Sequence, residues 1–187
     1  MSTLGSREEA IEACTIVNEF LGDLVAGTFL CRCIEKTWPD GEAKKAGIRT
    51  LLFSMILTLC KYYEIMEKYS KVVRDDDGEH RKFKKEVERR YIQNVRNKYV
   101  AHVLDRRSRK PLTPKQKNEL LRAVTQDNLD EFLAWLNEPD PAGNKYPSTV
   151  VSLVEHTRDV LMRHYQLSRE EVIAGAPTPV ISDAGAP

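Results

Sequence analysis

Arg96 and His102, at the two ends of the run Arg96-Asn97-Lys98-Tyr99-Val100-Ala101-His102 (RNKYVAH), are residue types able to do chemistry together. An imidazole titrating near neutral pH can take a proton from a hydroxyl and return one to a leaving oxygen. A guanidinium can hold a phosphate as negative charge builds on it, and no metal is required. On a regular helix, positions six apart differ by ~120° with a rise of ~9 Å, so the two side chains do not meet head to head within one copy. A two-fold axis near this helix would gather both pairs into one composite polar pocket at a dimer seam. An arginine paired to a neighbouring carboxylate and a histidine hydrogen-bonded at the core rim would leave the same pattern without chemistry.

The motif has to be carried by a helix. If residues Tyr91 to Leu104 are helical, Ile92, Val95, Tyr99, Val100 and Val103 share a broad apolar face, because positions three, four and seven apart stack on one side. Arg96 falls inside that face, so packing it takes a permanent charge out of water unless an anion or a partner surface meets it. Lys98, four residues before His102, adds positive potential beside it. Tyr99 reads either as core packing or as a ring on which a base could stack.

Net charge is only +1, yet its distribution is uneven. From Glu79 to Lys117 there are fourteen Lys or Arg against four Asp or Glu, a local +10 that leaves −9 for the remainder. A polyphosphate approaching the motif would favour this arrangement. Arg81 to Arg90 fits an ordinary solvated helix face equally well. The loop after the motif, with Arg106, Arg107, Arg109 and Lys110, is the candidate substrate-contacting element, and a plain surface loop is the alternative.

RNKYVAH resembles the signature of the HEPN superfamily, an arginine followed by a polar residue and then a histidine after four to six intervening positions; five intervene here. Lys98, Ala101 directly before the histidine and Asp105 three residues after it make the run similar to the AbiU2-like branch. That resemblance implies an all-α domain with paired motifs at a homodimer interface. It also implies a metal-independent endoribonuclease of toxin or phage-defence type, needing no cofactor, in which the ribose 2′-oxygen attacks the phosphate and leaves a 2′,3′-cyclic phosphate end. Arg96, Asn97 and His102 would be the catalytic residues, with Asn97 orienting the histidine or the phosphate. A neighbouring antitoxin protein is a further expected partner. The alternative is a HEPN-like module that binds RNA or protein without cutting.

No phosphate-gripping glycine loop, paired catalytic carboxylates or nucleophile elbow is present in the sequence. Arg74 to Glu79 (RDDDGE) fails as a calcium loop, since Val73 and Lys84 would occupy ligand positions. His80, His156 and His164 lack ligand spacing and are expected to be exposed. Cys14, Cys31, Cys33 and Cys60 fall in apolar helical stretches without a preceding signal peptide, as in reduced core residues of a cytoplasmic protein. The apolar run Leu51 to Cys60 is bounded by Arg49 and Lys61, well short of the ~20 residues a membrane span requires, so no membrane partner is expected.

The chain should be all-α, an up-and-down bundle of four long helices plus one, with residues 1–167 forming a single domain and 168–187 a disordered tail. Ser6 with Glu9 supplies a capping box for a first helix to about Glu35, its apolar series including Leu21, Leu24 and Val25. Trp38 to Gly41 gives a turn, and a second helix should run from Glu42 to Val73. A third, Glu79 to Leu104, carries Phe83, Val87, Tyr91 and Val95 inward. Thr113-Pro114 opens a fourth unit to Asn137, bent near Gln126 to Asn128. Pro147 and Ser148 open the last helix, to about Gln166.

Overall fold

Several helices start where the sequence supplies its own caps. In the computed structural model, which describes residues 5–75, 77–97 and 112–174, the Ser6 hydroxyl accepts from the Glu9 amide and the Glu9 carboxylate accepts from the Ser6 amide. This reciprocal pair opens α1, Arg7–Thr37. A turn at residues 38–41 leads into α2, Glu42–Lys68. Lys68 pairs with Glu12, the Thr58 hydroxyl donates to Asp23, and Met55 lies against Gly27, so rising numbers on α1 meet falling numbers on α2 and the two are antiparallel. Gly27 permits the approach: a Cβ there would sit 2.8 Å from Met55 Cγ.

The second helix ends at Lys68, short of the expected Val73. The Tyr69 carbonyl accepts from both the Val72 and Val73 amides, and this turn folds the two valines back onto the core.

The third helix is also shorter than its sequence pattern suggests. α3, Glu79–Arg89, starts from a left-handed Gly78 and buries His80, Phe83 and Val87. Tyr91 then turns left-handed, with φ of 54°, before the single turn of α4, Ile92–Val95. On a continuous helix Ile92 and Val95 could not both face inward with Phe83 and Val87, because Ile92 falls on the side opposite Phe83. The break re-phases the chain so that both are fully buried, and Tyr91, expected inward, is exposed. A left-handed non-glycine residue costs ~1 kcal/mol, which burial of two branched aliphatic side chains exceeds.

Thr113 and Gln116 form a second reciprocal cap for α5, Pro114–Thr125. Gln126 and Asp127, both left-handed, bend the chain at the expected place before α6, Leu129–Leu136. α7, Val150–His164, is capped by Thr149 and runs antiparallel to α1, since Arg7 at the start of α1 reaches the Gln166 carbonyl just past the end of α7, while Phe29 and Arg32 share a hollow with Val151 and Glu155 at its start. The fold continues past residue 167, into the part expected to be a disordered tail. α8, Arg169–Ala174, buries Val172, whose carbonyl accepts from the Thr15 hydroxyl at 2.9 Å.

The result is an all-α helical bundle, with no strand among the described residues. Its centre is Tyr62 on α2. Phe20 and Phe83 meet its ring edge-on at 6.3 and 5.3 Å, and its hydroxyl reaches Thr157 on α7 at 2.8 Å and His80 on α3 at 3.2 Å. One side chain thus ties four helices together. Three of the cysteines, Cys14, Cys31 and Cys60, are buried, and Cys33 is half-buried.

Candidate functional site

Arg96 is placed by the α4 turn. Ile92 and Val95 anchor that turn in the core, the Cys60 thiol of α2 approaches the Ile92 carbonyl at 3.9 Å, and the backbone widens into a π-type turn through Arg96 and Asn97. Burial pushes the Cys60 thiol up to about 12 against the opposing pull of the Arg96 charge. Arg96 itself does not enter the apolar face. Its guanidinium turns outward to Glu64 on α2, where Nη1 donates to Oε1, with the arginine side chain 34% and the glutamate 48% exposed.

The reading of an arginine paired to a neighbouring carboxylate therefore describes Arg96 in this structure. The pair is open to solvent on both sides, and such pairs contribute only ~0–1 kcal/mol. A phosphate arriving from solvent can compete for the guanidinium with Glu64. Asn97 is exposed beside it. Of the remaining expected site residues, Lys98, Tyr99, His102, Arg106, Arg107, Arg109 and Lys110 lie outside the described residues. Leu112, just before the Thr113 cap, is buried, as are Ile92 and Val95 on the other flank of that stretch.

Four of the five cations of α3 are committed elsewhere, Lys85 being the exception. Arg81 pairs with Asp75, Lys82 with Glu79, Lys84 with Glu67, and Arg89 with Glu86. This is the solvated, ion-paired face rather than an open basic patch. Arg90 differs from both groups. It is 2% exposed, with Nε on Glu86 at 2.6 Å, Nη1 on the Val124 carbonyl at 3.1 Å, and its plane 4.9 Å from the Trp135 ring. Arg89 foremost, together with Arg90, holds the Glu86 carboxyl below its ordinary value.

A second polar cluster escaped the sequence reading. His80, expected exposed, is 7% exposed, and Nε2 meets the Thr157 hydroxyl at 2.9 Å. With its own proton given to the Leu153 carbonyl, the Thr157 oxygen accepts from the Tyr62 hydroxyl. His156, also expected exposed, is half-buried and stacks on Tyr146, whose hydroxyl donates to Asp77. Burial pushes His80 down against the pull of Asp75 and Asp77. The Tyr146 hydroxyl draws Asp77 down in turn. The cavity they line is about 60 Å³, far below the ~300 Å³ of a small ligand pocket, and the hydrogen bonds of the cluster join α2, α3 and α7. A signal was present: His80, Phe83 and Val87 share one helix face.

No family model matches the chain, and no curated protein matches it. Among solved structures, the chain is similar to the integron cassette protein Vpc_cass2 from the mobile metagenome of V. paracholerae, with 23% identity. The likeness covers 85% of this chain and 99% of that one at a TM-score of 0.71, and what the two share is the fold.

Proposed function

We propose that the chain is a HEPN-type endoribonuclease of the toxin or phage-defence kind, working as a cytoplasmic homodimer without a metal. Arg96 binds the scissile phosphate and stabilises the charge that builds on it. His102 takes the proton of the ribose 2′-hydroxyl or returns one to the leaving oxygen, and Asn97 orients the histidine or the phosphate. The 2′-oxygen attacks phosphorus, the 5′-oxygen leaves, and a 2′,3′-cyclic phosphate remains. The observation that carries this reading is the Arg96-Asn97 to His102 spacing, with Arg96 held by one solvent-exposed carboxylate at the end of a firmly anchored turn.

One observation favours a second reading, an RNA- or protein-binding module that does not cut. Glu64 occupies the guanidinium that a phosphate would need and repels the phosphate as well. The test is cleavage of a mixed-sequence RNA, in the presence of EDTA, by the wild type, His102→Ala and Arg96→Ala, with end-group analysis. Cyclic-phosphate ends from the wild type alone support the nuclease. RNA binding that weakens with salt, without cleavage, selects the module.

A further inference from the structure

α1 is apolar on two faces, and the bundle covers one. Val17, Phe20, Leu24 and Cys31 are buried, whereas Val25, Phe29 and Leu30 are 41%, 63% and 47% exposed. Val25, read from the sequence as part of the inward series, belongs to this outer face. Beside it, between α1, residues 137–144 and the start of α7, lies a hollow of about 650 Å³. That volume falls within the ~300–1,000 Å³ of sites that enclose a small ligand. Val25, Phe29, Val151, Pro139 and Pro141 give the hollow apolar walls, and Arg32, Lys36, Glu138 and Glu155 place four charges around it.

These charges share a hollow without pairing. Among the described residues, none of the four enters an ion pair. Arg32 donates to the Asn137 carbonyl at 2.6 Å, which fixes the guanidinium and leaves it further donors for a ligand. Lys36 follows one turn later on the same helix. Glu138 is packed on its own loop, since a Cβ at Gly143 would lie 3.0 Å from its Cβ and Cγ.

The charges are also sorted along the hollow. α7 runs antiparallel to α1, so Glu155, four residues and ~6 Å beyond Val151, lies toward the Val25 end. Arg32 and Lys36 lie toward the other end, Arg32 being seven residues and ~10 Å past Val25 along α1. An acidic end, a basic end and apolar walls between them complement a zwitterion with an apolar body. A free amino acid carries both charges on one α-carbon and cannot reach both ends. Three residues of extended peptide span ~10 Å, which can.

We infer that the hollow binds a short apolar peptide of about three residues. Its terminal carboxylate lies on Arg32 and Lys36, its terminal ammonium toward Glu155, and its side chains cover Phe29, Val151 and the two prolines. A purely anionic amphiphile would meet Glu138 and Glu155 unpaired, and a purely cationic one Arg32 and Lys36. The site uses none of the Arg96 residues and does not rest on the ribonuclease reading.

Isothermal titration calorimetry of the full chain with trileucine should show one-to-one binding. N-acetyltrileucine and trileucine amide, each lacking one terminal charge, should bind about three- to tenfold more weakly. Lys36→Gln should weaken trileucine and leave trileucine amide unaffected, and Glu155→Gln should weaken trileucine and leave the acetylated peptide unaffected. A variant that merely disturbed the fold would weaken all three peptides alike. The inference is overturned by no binding at millimolar trileucine, by equal affinity for capped and uncapped peptides, or by a Lys36→Gln loss as large for the amide as for trileucine.

Discussion

Arg90 and Arg96 lie six residues apart and have opposite surroundings. Arg90 is enclosed by Glu86, the Val124 carbonyl and the rings of Phe132 and Trp135, every partner supplied by the fold itself. Arg96 has one carboxylate, on a side chain that is itself half in water. The left-handed Tyr91 between them makes the difference, because it ends the face that buries Arg90 and begins a turn that delivers Arg96 to the surface. A guanidinium whose hydrogen bonds are all committed inside the protein stabilises structure, and one restrained by a single exposed partner is available to a ligand.

The sharpest way to break this contrast is to remove each guanidinium and read stability and activity separately. Arg96→Ala should lower RNA cleavage by ~10²–10³-fold, the usual effect of losing a group that stabilises transition-state charge. Its urea unfolding free energy should change by no more than ~1 kcal/mol. Arg90→Ala should do the reverse, costing ~3 kcal/mol through the broken buried pair while cleavage per folded molecule is retained. If Arg90→Ala abolished cleavage in a fully folded protein, or Arg96→Ala unfolded it, the division of roles would be wrong.

How far these roles could be read from sequence depends on how local their causes are. The caps at Ser6 and Thr113 and the bend at Gln126 to Asn128 were legible because each rests on residues within a few positions. The break at Tyr91 was not, since neither glycine nor proline marks it and only the demand of the core for Ile92 and Val95 enforces it. The enclosure of Arg90 depends on Val124, 34 residues on, and the partner of Arg96 is 32 residues back. The outer face of α1 was hidden differently, because Val25 fits an apolar periodicity whichever side of the helix the bundle covers. The motif singled out Arg96, and a tertiary contact shows what its guanidinium meets.

The buried side of the comparison also predicts a pH effect, through His80. Burial keeps its imidazole neutral in the fold and its pKa below the ordinary value, so the unfolded chain binds a proton that the native state resists. Stability from this group is complete above the unfolded pKa of ~6.5 and is lost as pH falls below it, with a slope no steeper than ~1.4 kcal/mol per pH unit for one proton. The depressed carboxyls Glu12, Asp77, Glu86 and Glu171 add their loss at lower pH. His80→Gln should therefore flatten urea stability between about pH 6.5 and 5, whatever it does to stability at pH 8. An unchanged slope would locate the titrating group elsewhere.

The smallest expected effect lies at the open site and sharpens the contrast most. Glu64→Gln keeps the size of the side chain and removes the charge that holds Arg96. Stability should fall by less than ~1 kcal/mol because the pair is exposed, and the guanidinium becomes free for phosphate. If Glu64 competes with RNA, affinity measured by fluorescence anisotropy at fixed salt should rise about two- to fivefold, the equivalent of ~0.5–1 kcal/mol of released pairing. The salt dependence should steepen slightly as one more cation neutralises phosphate. If Glu64 instead positions Arg96 for the substrate, affinity and cleavage should both fall. Either result identifies the carboxylate as part of the site, whereas no change in affinity, cleavage or salt slope would mean that RNA does not reach Arg96.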